Sequence, residues 1–221
     1  IGNKTGEASA MIALGIIYKN QGDFKKAMNF HINAFNICHE IGYRHGEMTS
    51  LINLGITYKN IREYQKAIDC YKKALPIVQE LGDKGAEASV FGNLGRVYFL
   101  IRDPDLSLSY LNKSLEIAKS IGNKHGEATT IGAIGNSPTL QGDISGAKLA
   151  FIKAIQIANE IGDINVIAEN CFDLAYLLAN HGEYEEAKNY ANLAAQIWQK
   201  IRSYRYQHAM QLIMEIQRFT P

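Results

Sequence analysis

The sequence predicts an all-α protein: an α-solenoid of stacked antiparallel helix pairs, about five and a half repeats and eleven helices long, forming one domain over residues 1–221. Three observations carry this. The dipeptide Ile-Gly returns every 40 residues, at Ile1-Gly2, Ile41-Gly42, Leu81-Gly82, Ile121-Gly122 and Ile161-Gly162, with Ile201-Arg202 as a faded copy. A second mark, Leu14-Gly15, returns in the same register as Leu54-Gly55, Leu94-Gly95, Ile134-Gly135 and Leu174-Ala175. Between the two marks lies an acidic residue at 23, 63, 103, 143 and 183. A fixed period of this length is the signature of a stacked-repeat architecture. A lone repeat cannot bury its apolar face, so stacking creates the core.

The first repeat, residues 1–40, sets the pattern. Helix A runs roughly from Lys4 to Asn20 and helix B roughly from Phe24 to Ile41. Asp23 precedes helix B, where a carboxylate accepts from free backbone N–H groups and suits the positive helix end. Gly42 follows helix B at the left-handed position that glycine occupies without penalty. Gly15 and Ala27 let the two helices approach closely, and Tyr18 is expected to fill the wedge between neighbouring repeats. The second repeat, 41–80, carries Tyr58, Glu63, Ala67 and Ala74, and ends at Gly82. The third, 81–120, carries Tyr98 and Asp103, with Ser107 and Ser114 in the alanine slots and Gly122 at its end. In the fourth, 121–160, Gly142-Asp143, Ala147 and Ala154 keep the pattern, but Pro138 replaces the tyrosine. An internal Pro loses one hydrogen bond and clashes with the preceding turn, at about 3 kcal/mol. Gly132 and Gly135 weaken the same helix, which is expected to end early or kink near Ile134 to Ser137. The break is either local decay tolerated by its neighbours or a hinge. The fifth, 161–200, carries Gly182-Glu183, Ala187 and Ala194. Residues 204–219 form a sixth helix A, with Ala209, Leu212, Ile213 and Ile216 lying on repeat 5. This helix caps the stack or is the edge of a longer array, and it offers a surface for weak self-association. A chain that opens on an inter-repeat loop without Met reads as part of a longer protein.

Composition narrows the function. The net charge of +1 gives no electrostatic drive toward nucleic acid or an anionic membrane, and neither half carries a strong excess. No apolar stretch is long enough to span a bilayer, and no secretory signal is visible. Cys38, Cys70 and Cys171 fit no zinc spacing or disulfide framework; they read as core filler, which points to a cytoplasmic location.

The Leu-Gly-x-x-Tyr, Gly-Asp-[Phe/Tyr] and paired-alanine marks resemble those of the tetratricopeptide repeat family, over nearly the whole chain. The familiar unit has 34 residues; the 40-residue unit is similar to a variant in spindle-orientation adaptors and bacterial regulatory arrays. There Gly-Glu-Ala opens helix A, as Gly6-Glu7-Ala8, Gly46-Glu47, Glu87-Ala88 and Gly126-Glu127-Ala128 do here. The resemblance implies a right-handed superhelix whose A helices line a concave groove that binds peptides. Carried over position by position, it assigns Ile16, Lys19, Asn53, Ile56, Lys59, Asn93, Arg96, Asn136, Asp173 and Tyr176 to peptide binding. Ile12, Ala13, Ile52, Phe99, Ala133, Thr139, Glu169 and Phe172 complete the lining. Asn53 and Asn93 precede Leu-Gly, where the family often uses an amide to bond a ligand backbone. The alternative is an asparagine that is solvated or bonded to its own surroundings. The lining is apolar and basic over repeats 1 to 3, then acidic and aromatic in repeat 5. Such a surface suits a peptide with an acidic-apolar portion and a basic portion, bound in one direction. The family's carboxylate clamp would need cationic and amide groups at Ile12, Ile16, Ser89 and Asn93; only Asn53 matches, which disfavours chaperone tails. The spindle-adaptor asparagine after Leu-Gly survives only at Asn136, because Ile16, Ile56 and Arg96 hold the other slots.

No catalytic constellation emerges. His39-Glu40 lacks the second histidine of a zinc-protease helix. The glycine pairs at 92/95 and 132/135 lie inside helix A and follow no strand. His45 and His125 read as solvated turn residues. His31 occupies a slot held elsewhere by Tyr71, Leu111 and Phe151, so packing outranks chemistry there. The expectation is a binding module with no enzymatic activity, metal or cofactor: a peptide-binding scaffold or adaptor, or alternatively the sensing region of a larger signalling or transcriptional regulator.

Overall fold

The computed structural model describes residues 2–219, with the backbone alone at 2 and 137–141. Its described residues form eleven helices and no strand. They are α1 (Gly2–Asn20), α2 (Phe24–Ile41), α3 (Arg44–Asn60), α4 (Tyr64–Leu81), α5 (Lys84–Leu100) and α6 (Pro104–Ser120), followed by α7 (Lys124–Gln141), α8 (Ile144–Glu160), α9 (Ile164–Asn180), α10 (Tyr184–Lys200) and α11 (Tyr206–Ile216). Odd numbers are A helices and even numbers are B helices. Connections of two or three residues force consecutive helices to run antiparallel, apart from the longer link into α11. The all-α repeat of helix pairs is therefore as expected, with the C-terminal helix shorter than 204–219.

The chain forms two compact units, Ile1–Ile117 and Ala118–Pro221. In the first, α1 packs on α2, α3 on α4, and each B helix on the following A helix, while A helices α1, α3 and α5 touch in series. Its core gathers Leu51, Tyr71, Val78, Val90, Leu94 and Val97. In the second, α7 packs on α8, α9 on α10, and α10 on α11, while A helices α7, α9 and α11 again touch in series. Its core gathers Phe151, Cys171, Leu174, Leu178, Trp198 and Ile216.

The glycine of the Leu-Gly mark sets the distance inside each pair. A Cβ on Gly55 would stand 2.4 Å from the Tyr71 ring, and one on Gly95 would stand 2.6 Å from Leu111. The same contact pairs Gly15 with His31 and Gly135 with Phe151. The facing alanines, Ala27, Ala67, Ala147 and Ala187, are wholly buried. Where serine replaces alanine its hydroxyl is satisfied: Ser107 donates to Gly95 O at 2.9 Å and Ser114 to Ala88 O at 2.8 Å. The tyrosines make ring contacts that the sequence did not announce. Tyr18 stacks on Phe30 at 5.4 Å and Tyr98 on Tyr110 at 5.4 Å within their own pairs, and Tyr98 also belongs to the core that the second and third repeats share.

Helix ends follow local chemistry. Gly42 has φ of 70°, and the bond from Tyr43 N–H to Cys38 O at 2.8 Å completes a Schellman cap. Asp23, Asp103 and Asp143 accept from the N–H groups of Lys26, Leu106 and Gly146. Glu63 and Glu183 do not cap, contrary to expectation. With one more methylene, Glu63 pairs instead with the Lys66 ammonium, and Glu183 reaches Lys148 of α8. Three caps at A-helix starts went unanticipated: Asp83 to Ala86, Asn123 to Gly126 and Asp163 to Val166.

Helix α7 corrects part of a further expectation, the early end. It runs to Gln141 and does not end before Pro138. The Pro138 and Thr139 side chains, and with them the hinge, lie outside the described residues. Pro76, inside α4, shows how a proline is accommodated: the ring faces solvent while Ala74, Ile77 and Val78 hold the opposite face in the core. Gly132, read as a weak point, is a contact. A Cβ there would stand 1.9 Å from the Asn170 carboxamide oxygen of α9, so the glycine admits the neighbouring A helix.

Candidate functional site

In the first unit the assigned residues lie on α1, α3 and α5. Ile16 and Ile56 are half-buried at the same register of α1 and α3. Lys19 and Lys59 follow one turn later, also half-buried, and burial pulls the Lys19 ammonium below the usual lysine range. Asn93 and Arg96 are half-buried on α5. The Arg96 charge works against the rise that burial imposes on the Tyr71 hydroxyl. Asn53 is only 8% exposed, and its amide donates to Thr49 O at 3.0 Å on its own helix. The reading of Asn53 as bonded to its own surroundings thus has a geometric basis.

In the second unit three assigned residues come together. Asn136 on α7 donates to Asp173 on α9 at 3.2 Å, tying adjacent A helices. One turn beyond Asp173, Tyr176 is 55% exposed. Phe172 tilts against Trp198 with ring centroids 5.3 Å apart. Arg205, before α11, reaches back to Glu169 on α9 at 2.6 Å. Two hollows flank Phe172. One, of about 240 Å³, is lined by Phe172, Asp173, Trp198, Tyr204, Arg205 and His208. The other, of about 280 Å³, is lined by Phe172, Tyr176, His208, Gln211, Leu212 and Glu215.

Sequence reasoning placed Glu169, Phe172, Asp173 and Tyr176 on this face but missed the opposite wall. Helix α11 follows a spacing of 41 residues, not 40. Buried Ala168, Cys171 and Ala175 correspond to buried Ala209, Leu212 and Ile216. The same count sets Gln211 against Asn170, whose position faces the preceding A helix. The apolar pattern of residues 209–216 held that signal.

The remaining polar groups are structural. Glu47, 3% exposed, meets His39 and Arg44; Glu87 meets Lys84 and Gln79; Glu127 meets Lys124. These are the glutamates of the Gly-Glu openings. His125 is more than a solvated turn residue, since its Nδ1 lies 2.6 Å from the Asp163 cap. Burial pushes the Cys70 thiol up to about 11 and the Cys171 thiol to about 12, which makes both poor nucleophiles. Among the described residues, no three of His, Cys, Asp and Glu gather as metal ligands would.

A family model described as Tetratricopeptide repeat matches residues 6–80 and 86–160. No curated protein matches the chain in sequence. Among solved structures, a Rap protein complexed with Competence and Sporulation Factor is similar at a TM-score of 0.80 and 16% identity, over 95% of this chain and 62% of that one. BtubC from P. vanneervenii gives 0.68 and 18%, over 91% and 83%. A signal transduction ATPase with numerous domains and a tetratricopeptide repeat sensor, from Pyrococcus horikoshii, gives 0.66 and 23%, over 93% and 32%. At such identities the likeness shows the fold alone. The chain spans less than two thirds of the Rap protein and of the ATPase.

Proposed function

The chain belongs to the tetratricopeptide repeat family, and we propose that it is a protein-interaction module that binds a peptide segment on the face formed by its A helices. The observation that carries this reading is the α7–α9–α11 surface, where Asn136, Asp173, Tyr176 and the Phe172 hollows lie within one unit. Hollows of this size are smaller than the 300–1,000 Å³ typical of small-molecule pockets and suit single side chains. In the first unit, Ile16 and Ile56 supply apolar contact, while Lys19, Lys59 and Arg96 supply positive charge. Asn93, rather than the helix-bonded Asn53, is the better placed amide for a ligand backbone. Neither nucleic acid nor membrane is a partner in this reading. No helix among the described residues is long and apolar enough to cross a membrane.

The test is affinity capture from a lysate of the source cell, with mass-spectrometric identification, using the chain and an Asn53→Ala, Asn93→Ala, Arg96→Ala variant of equal helicity. A partner lost only from the variant supports the A-helix face. Equal recovery removes the α3 and α5 residues from the site; a partner that also survives Tyr176→Ala and Glu215→Lys would move the site to the B-helix surface.

A second reading, the sensing region of a larger regulator, draws on the likeness to the Rap protein and to the ATPase's repeat sensor. It expects the captured ligand to change the radius of gyration in small-angle scattering. An unchanged radius would remove it.

A further inference from the structure

We infer that the cleft between α9 and α11 is a two-side-chain recognition site for an aromatic or large apolar residue adjacent to a lysine or arginine. The inference rests on the peptide-binding reading and names the ligand chemistry for one part of that face. The two hollows share Phe172 and His208 and so lie side by side, separated by about one side chain. The first has aromatic walls in Phe172, Trp198 and Tyr204. Its cation, Arg205, is already bound to Glu169 at 2.6 Å, so the wall offers the methylene stem and aromatic faces rather than an available charge. A planar or branched apolar side chain fits there.

The second hollow differs in chemistry. Tyr176 presents an exposed ring on one side, and Glu215 presents an exposed carboxylate on the other. Gln211 donates to Glu215 at 3.1 Å, fixing the carboxylate at the rim. Asp173 belongs to the first hollow, where it stands beside Arg205 and is held by Asn136, so Glu215 is the carboxylate that lines the second. An aromatic face opposite a carboxylate favours a cation through both quadrupole and charge. An acidic side chain there would meet the Glu215 carboxylate. The charge therefore selects the occupant.

Trp198 is the only tryptophan of the chain and is 3% exposed at the base of the first hollow. Its fluorescence reports binding in this cleft from within the second unit. The experiment pans a phage-displayed random dodecapeptide library on the whole chain. Binding of the selected synthetic peptides is then measured by fluorescence anisotropy and by Trp198 emission. The expected result is enrichment of an aromatic or leucine residue next to Lys or Arg, with a Trp198 shift on binding. Tyr176→Ala and Glu215→Lys, both exposed positions, should each weaken binding about tenfold, the size expected from one partly desolvated cation contact. Peptides that bind with no such motif, or without moving Trp198, overturn the inference. If their binding is instead lost in the Asn53→Ala, Asn93→Ala, Arg96→Ala variant, the broader reading survives. Selection of no peptide at all counts against both.

Discussion

His31 fills, beneath Gly15, the space that Tyr71, Leu111 and Phe151 fill beneath the matching glycines. It is fully buried, and among the described residues neither ring nitrogen has a hydrogen-bond partner. Burial, with the nearby Lys19 charge, pulls its pKa from 6.5 to about 4. The unfolded chain therefore binds more protons than the folded chain between those values, and stability must rise with pH across that window. Equivalently, stability is lost as pH falls from 6.5 through about 4. His31→Leu copies the Gly95–Leu111 pair. It should raise stability at pH 7 by on the order of 1 kcal/mol and flatten the pH dependence of the thermal midpoint between pH 4 and 6.5. A wild-type slope retained in the variant would contradict this account. The same scale governs Arg62 and Arg102, which hold φ of 64° and 62° where Gly22 and Gly142 stand in other repeats. Left-handed backbone costs a residue with a Cβ about 1–2 kcal/mol. Arg62→Gly and Arg102→Gly should each stabilise the chain by about 1 kcal/mol in urea unfolding. The slot of His31 was legible in the sequence because the period aligns it with three apolar residues. Its two unpartnered nitrogens required coordinates.

At the scale of elements, helix starts and stops were legible because they are local. A glycine after a run of 18 residues can be read as a stop without any tertiary knowledge. The difference between Asp and Glu at the N-cap was misread, since it turns on one methylene of reach. Glu63→Asp should therefore create the missing cap on α4 and stabilise by about 0.5–1 kcal/mol, measured by chemical denaturation. No gain would show that the turn at 61–63 holds its carboxylate away from the helix. The early end expected at Pro138 failed for the opposite reason. A local penalty of about 3 kcal/mol was set against no benefit, whereas at Pro76 burial of the opposite helix face outweighs a single lost bond. Gly132 was likewise read through helix propensity, when its role is to admit Asn170. Gly132→Ala gains in propensity by about 1 kcal/mol yet should destabilise overall by about 1–3 kcal/mol, because the Asn170 carboxamide must move. A stabilised variant would show that α7 and α9 separate at little cost.

At the scale of the molecule, the period identified the helix-pair architecture, and the resemblance to the tetratricopeptide repeat family supplied the expectation that A helices share a binding face. Stacking leaves each A helix few positions outside its contacts, and a 40-residue count aligns equivalent positions from repeat to repeat. What the count could not give was convergence. Asn136 and Asp173 are 37 residues apart and meet through the lateral contact of α7 with α9. Arg205, His208 and Glu215 join them because α11 shifts register by one residue, which a strict period hides. Localisation, partner identity and the span of the domain are not encoded in packing at all. The central claim is that A helices, not B helices, carry the binding face. Its most direct test places a photoreactive benzoylphenylalanine at Ile56 of α3, at Tyr176 of α9, or at Leu149 of α8, which is 69% exposed. Each variant is irradiated in cell lysate with and without excess selected peptide. Adducts at positions 56 and 176 that the peptide competes away are the predicted result. Adducts confined to position 149, untouched by the peptide, would place the binding face on the B helices and contradict the account.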